Sequence, residues 1–139
     1  MATRAEVVKF LRKHATIRLY KNLKIALTDV LLALPDHVYK YLTKNLLIVA
    51  LHEIPMGQAF YFPKPKGEYK LMEFHYRHEM PSNILRYLVA HELGHLMYGQ
   101  IIPKKGQTWK SMDDMADNYA KAWGFPKTKE IKRALEKLR

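Results

Sequence analysis

From Ile84 to Met97 the chain is apolar at almost every position, yet it carries Arg86, His91, Glu92 and His95. A helix of that composition is buried, and imidazoles and carboxylates inside it need partners. The run His91-Glu92-Leu93-Gly94-His95 is an HExxH pattern. On a helix, residues four apart lie one above the other, so His91 and His95 present two ring nitrogens from one face. A metal ion supplies the partner that the apolar surroundings do not. Glu92 sits about 100° round the helix from His91, in reach of a water on the metal's open position. The bland alternative is two core histidines bonded to backbone carbonyls, and the buried context argues against it. Pro81-Ser82 offers a helix cap, Gly99 a left-handed stop, and Gly94 leaves room for another backbone to come close.

Two histidines do not complete a metal site, and the chain has no cysteine. Any metal is held by His and carboxylates. After Gly99 a loop with Pro103 and Gly106 leads to Ser111, which is expected to cap a helix running to Trp123. Met112, Met115, Ala116, Tyr119, Ala120 and Trp123 form its apolar stripe, and Gly124 with Pro126 stops it. Of the carboxylates there, Asp113 borders the stripe, Asp117 lies somewhat further out on the same side, and Asp114 points nearly opposite. Asp113 is therefore the expected third metal ligand. Asp117, one turn on, is placed to accept the second N–H of a ligating histidine. Asp114 reads as a solvated charge.

The rest of the chain reads as scaffold. Thr3-Arg4-Ala5-Glu6 is a capping box for a basic first helix to about His14. Leu23, Ala26, Leu27, Val30, Leu31 and Leu34 mark a second amphipathic helix that Pro35 ends, and Asp36 can cap a brief third. This helix pair reads as packing elements rather than as a helix-turn-helix DNA reader. Leu46 to Leu51 is an apolar run of strand length, and Gln58 to Phe62 and Tyr69 to Tyr76 follow as a predicted hairpin around Pro63 to Gly67. In the last segment Lys70, Met72, Phe74 and Tyr76 alternate with Leu71, Glu73 and His75, the mark of a strand with unlike faces. His75 and His78 read as surface residues, and His52 and Glu53 are ambiguous. Ile131, Ala134, Leu135 and Leu138 predict a closing helix. The expectation is an α+β fold: N-terminal helices, a small, mainly antiparallel sheet, the HExxH helix, a ligand-bearing helix and a C-terminal helix.

With 139 residues the chain suits one domain, 1–139. Its apolar runs are interrupted by charge or too short to span a bilayer. Met1 to Lys13 lacks the features of a secretory signal, so a cytoplasmic protein is the default expectation. The formal charge is +11. Lys and Arg concentrate in residues 4–24, around Lys64, Lys66 and Lys70, at Lys104, Lys105 and Lys110, and after Lys127. Such a shell attracts polyanions such as nucleic acid, although solvated basic helix faces would look the same.

HELGH followed by Asp113-Asp114-Met115-Ala116-Asp117-Asn118-Tyr119-Ala120 resembles the gluzincin clan of metallopeptidases, where HExxH precedes E-x-x-A-D or E-x-x-x-D on a second helix. The run Ala116 to Phe125 looks like the minimal members of that clan: minigluzincins, ImmA/IrrE-type proteases and phage-encoded metallopeptidases. The resemblance implies a zincin-like fold, a third zinc ligand at Asp113 and histidine support from Asp117. Where the clan usually has Glu, this chain has Asp113, one methylene shorter, so its second helix must approach more closely. The metzincin pattern fails, since Ile101 stands where its third His would be. An SprT-like protease lacks its downstream His here. The expected activity is zinc-dependent endopeptidase chemistry: His91, His95 and Asp113 hold Zn²⁺, and Glu92 activates the zinc-bound water against a peptide or protein substrate. Tyr98, Tyr119 and His75 are the candidate oxyanion donors. By the resemblance, substrate lies extended along Gln58 to Phe62 or Tyr69 to Tyr76. The alternative is a basic nucleic-acid-associated module with a structural or vestigial zinc site, which a fourth protein ligand such as His75 or Asp117 would favour. A third keeps the zinc chemistry for another amide, such as one in a cell-wall polymer.

Overall fold

Capping chemistry sets the first helix. The Glu6 amide donates to Thr3 Oγ1 at 3.2 Å and the Thr3 amide donates to the Glu6 carboxylate at 2.9 Å, the reciprocal bonds of a capping box. The computed structural model describes residues 1–16, 20–52, 70–76, 80–97 and 105–137. In these, the elements are α1 (Arg4–His14), β1 (Ala15–Thr16), α2 (Lys21–Ala33), α3 (Asp36–Thr43), β2 (Leu46–His52), β3 (Lys70–Tyr76), α4 (Ser82–Leu96), α5 (Trp109–Ala122) and α6 (Lys129–Lys137). No described helix is long and apolar enough to cross a membrane.

The mixture of helices with a small sheet agrees with the expected class, but the sheet corrects the expected strand direction. The strands pair in the order β1-β2-β3, and both pairings are parallel, with Ile48 opposite Ala15 on one side and Met72 on the other. The run Leu46 to Leu51 carries the physical reason. Leu46, Ile48 and Val49 are buried and Leu47 and Ala50 half-buried, so the central strand is covered on both faces, as parallel strands are. Residues 53–69 join β2 to β3, enough chain for the crossover of a dozen or more residues that a parallel pair requires. The anticipated hairpin partner, Gln58 to Phe62, lies outside the described residues. The alternation along β3 holds, with Lys70, Met72 and Phe74 buried and Leu71 and Glu73 exposed. Alternation reports a half-buried strand; it carries no information on direction.

Lys70 departs from the solvated basic shell in which its charge placed it. Only 8% exposed, its Nζ donates at 2.9 Å to the carbonyls of both Tyr41 and Lys44. A cation there satisfies carbonyls left over at the C-terminal end of α3, where the helix dipole favours positive charge. It also ties the start of β3 to the turn that opens β2, where the Lys70 amide donates to the Asn45 carbonyl at 2.9 Å.

One core joins these elements. Leu23, Leu27, Val30 and Leu31 of α2, Ile48 of β2, Met72 and Phe74 of β3, and Leu85, Val89 and Leu93 of α4 belong to the same buried cluster. Helix α4 is thus held from several sides, which fixes the frame of its HExxH residues. Ser82 is its first residue and Pro81 its N-cap, without a side-chain cap, so Ser82 does not play the capping part expected of it. The Gly99 stop lies outside the described residues. Helix α5 begins earlier than expected, at Trp109, because Thr108 and not Ser111 is the N-cap. Ser111 forms the other half of a capping box, its amide donating to Thr108 Oγ1 at 3.0 Å. Gly124, at φ 96°, ends α5 in a Schellman turn in which the Phe125 amide donates to the Ala120 carbonyl at 2.8 Å. Asp36 likewise is the first residue of α3, behind an N-cap Pro35, and pairs with Lys40 at 3.0 Å.

Helix α5 packs on α4 backbone to backbone at Gly94. A Cβ added there would lie 2.8 Å from the Ala116 carbonyl oxygen and 3.0 Å from its Cα. A neighbouring side chain could rotate away; a helix backbone cannot. Ala favours a helix over Gly by about 1 kcal/mol, whereas forcing a packed contact apart costs about 1–3 kcal/mol, so the clash wins. Gly94→Ala is expected to destabilise the protein by up to about 2 kcal/mol in urea unfolding at unchanged m-value, and greater stability would contradict the contact.

Candidate metal centre

The closest approach of α4 and α5 decides which side chains meet. His91 and His95 lie three residues before and one after Gly94, and Asp113 and Asp117 lie three before and one after Ala116. Each pair therefore flanks the contact on its own helix. The helices run in opposite directions here, so His95 meets Asp113 and His91 meets Asp117. His95 Nε2 is 3.0 Å from Asp113 Oδ1, and His91 Nε2 is 3.4 Å from the same oxygen. The two Nε2 atoms are 3.1 Å apart. On the far side of the first imidazole, His91 Nδ1 is 2.7 Å from Asp117 Oδ1.

Proton accounting selects the tautomer. An ionised carboxylate only accepts hydrogen bonds, so the neutral His91 ring carries its proton on Nδ1, donated to Asp117, and Nε2 has the lone pair. That lone pair, the second Nε2 and the Asp113 carboxylate oxygen face one another. Atoms so arranged are a set that could hold one metal ion. A tetrahedral zinc site with bonds of 2.0–2.1 Å separates its ligand atoms by about 3.3 Å, and the three distances of 3.0, 3.1 and 3.4 Å bracket that edge. His91, His95 and Asp113 form the one group of three or more such side chains, among the described residues, with ligand atoms this close together. The donor set fits a borderline metal such as zinc.

Exposure grades across the centre. The side chains of His91, His95 and Asp113 are 13%, 24% and 59% exposed, so the centre opens to solvent on the Asp113 side. Asp117, 25% exposed, lies behind His91. Glu92 is half-buried on the same helix. Asp114 is exposed, as expected of a solvated charge. Of the suggested oxyanion donors, Tyr119 packs against the core and lies tilted against Trp123, 5.4 Å between ring centroids. Tyr98 lies outside the described residues, as do Glu53 and His78. The backbone of His75 pairs with Leu51, and that of His52 with Tyr76, in the β2–β3 ladder.

Two residues at the site were not read from the sequence. Tyr87 donates its hydroxyl to Asp117 Oδ1, the oxygen that also accepts from His91. Burial, and then the Asp117 hydrogen bond and charge, push its phenol far above the ordinary tyrosine pKa, so it remains a donor. Lys127 Nζ is 3.9 Å from the other Asp117 oxygen and 5.9 Å from the Tyr87 ring centroid. The i−4 spacing of Tyr87 from His91 was an available signal, hidden by reading the tyrosine as one more apolar residue of a buried helix. Lys127 lies beyond the Schellman turn, and no local pattern marks it.

No family model, curated protein or solved structure matches this chain.

The geometry makes unequal demands on the two aspartates. Asp113→Ala removes a ligand atom, whereas Asp117→Asn leaves all three in place and alters only what His91 leans on. Zinc competition titrations are expected to show the larger loss for Asp113→Ala and about a 10–100-fold weakening for Asp117→Asn. The reverse order would assign the third ligand to Asp117.

Proposed function

We propose that this protein is a zinc-dependent endopeptidase of gluzincin type, with His91, His95 and Asp113 as metal ligands and Glu92 as the general acid–base. The observation that carries this reading is the convergence of three ligand atoms, two of them from the histidines of the HExxH, in a centre open on one side. Asp117 lies against Nδ1 of His91, opposite its Nε2, and so is not a fourth ligand to the same ion. A three-ligand set with a free approach is the pattern of catalytic rather than structural zinc. The close Gly94–Ala116 contact supports the reading at its one departure from the gluzincin pattern, because it brings α5 close to α4, as the shorter Asp113 requires.

Zinc, when bound, polarises the scissile carbonyl and makes water acidic enough to attack at neutral pH. The side chains do the rest. Glu92 takes a proton from the attacking water and passes it to the leaving amine. Asp117 holds the His91 ring so that Nε2 points into the centre. Asp113 sits at the open edge, where substrate enters. An extended peptide fits β3, one of the two outer strands of the described sheet, through main-chain pairing. The basic surface favours substrates with acidic segments or bound to polyanions.

The test is a panel of quenched fluorescent peptides with wild type and Glu92→Gln, each with its zinc content measured. Glu92→Gln keeps the shape but cannot take the proton, so hydrolysis is expected to fall by about 10²–10⁴-fold with zinc unchanged. Hydrolysis undiminished in that variant would overturn the assignment. Wild type that holds zinc, cleaves no peptide and binds duplex DNA with steep salt dependence would instead support the nucleic-acid module.

A further inference from the structure

Asp117 receives more than one hydrogen bond. Its Oδ1 accepts from His91 Nδ1 at 2.7 Å and from the Tyr87 hydroxyl, and the Tyr87 oxygen is 3.4 Å from His91 Nδ1. These three groups close a triangle behind the first imidazole. Tyr87 cannot drift from it, because the residue is 2% exposed and its side chain shares a small buried cluster with Ile84 of α4 and Ile131 of α6. Lys127 is a weaker contributor. At 3.9 Å and 38% exposed, it makes a screened contact of the kind that adds little.

We infer that Tyr87 is a positioning residue of the metal centre: its buried hydroxyl fixes the Asp117 carboxylate, and through it the orientation and tautomer of His91. The inference rests on the reading of His91, His95 and Asp113 as metal ligands. With one donor removed, Asp117 Oδ1 keeps only His91, and the carboxylate gains freedom to turn. The imidazole then loses its fixed backing while every ligand remains present. Tyr87 thereby couples the docking of α6, through Ile131, to the metal centre. Outer partners of a ligating histidine typically change metal affinity by about 10–100-fold when removed.

The experiment is a double-mutant cycle on zinc affinity, measured by competition with a chromophoric chelator, using wild type, Tyr87→Phe, Asp117→Ala and the double variant. Phe keeps the ring packed on Ile84 and Ile131 and deletes only the hydroxyl. Tyr87→Phe is expected to bind zinc about tenfold more weakly. In the Asp117→Ala background, which has no side-chain acceptor left, the same change is expected to have less than about a twofold effect, because its route is gone. Lys127→Met is expected to stay within about threefold of wild type, as an exposed pair should. In metal-free wild type the His91 Nδ1 proton is expected as a slowly exchanging resonance that broadens in Tyr87→Phe. Wild-type zinc affinity in Tyr87→Phe, or an equal loss with and without Asp117, would overturn the inference while leaving the metal centre standing. Wild type that binds no zinc would remove the centre itself. Should Tyr87→Phe fail to fold, the wild-type spectrum decides: a rapidly exchanging His91 Nδ1 proton contradicts the clamp.

Discussion

Everything at the candidate centre depends on two helix backbones meeting without side chains between them. With no Cβ on Gly94 and only a methyl on Ala116, α5 comes within a few ångströms of the α4 backbone. The side chains at their contact set how far apart packed helices lie, and here they are a hydrogen and a methyl. The tighter approach lets a short aspartate from one helix reach imidazoles on the other. Because the helices run oppositely, one contact serves two purposes: His95 meets a ligand in Asp113, and His91 meets a supporting acceptor in Asp117. A larger residue at either backbone would part both pairs together.

The scaffold accounts for why α4, and not α5, carries the two histidines. Helix α4 is packed into the main core through Leu85, Val89 and Leu93 and is approached by α2, by the sheet and by α6. Its frame is fixed before the metal chemistry begins. Helix α5 buries one face through Met112, Ala116 and Ala120 and leaves Asp113 at the solvent edge. A rigid histidine pair with an outer carboxylate is an arrangement that keeps the ligands ordered and the approach to them open.

The centre was more legible in the sequence than the sheet was. HExxH is local: a helix of fixed pitch puts His91 and His95 on one face wherever it lies, and the wheel of α5 separates Asp113 from Asp114 in the same way. Gly94 could be read as a close contact for a similar reason, since a glycine inside a buried helix needs a cause. Strand direction is not local. The same apolar Leu46 to Leu51 run suits either sense, and only the fold shows that β2 and β3 pair in parallel. Lys70 shows the same limit from the side of charge, since only the tertiary fold brings the carbonyls of Tyr41 and Lys44 to its ammonium group. Tyr87 escaped for the complementary reason: its partner, Asp117, is distant in sequence.

The most direct test of the proposed centre is the metal content of protein purified without added metal, measured by mass spectrometry for wild type and His95→Ala. If two imidazoles and the Asp113 carboxylate share an ion at the α4–α5 contact, wild type holds close to one zinc per chain and His95→Ala holds almost none. Wild type that carries no zinc, even after zinc is supplied and excess removed, would contradict it and leave HExxH as a coincidence of a buried helix.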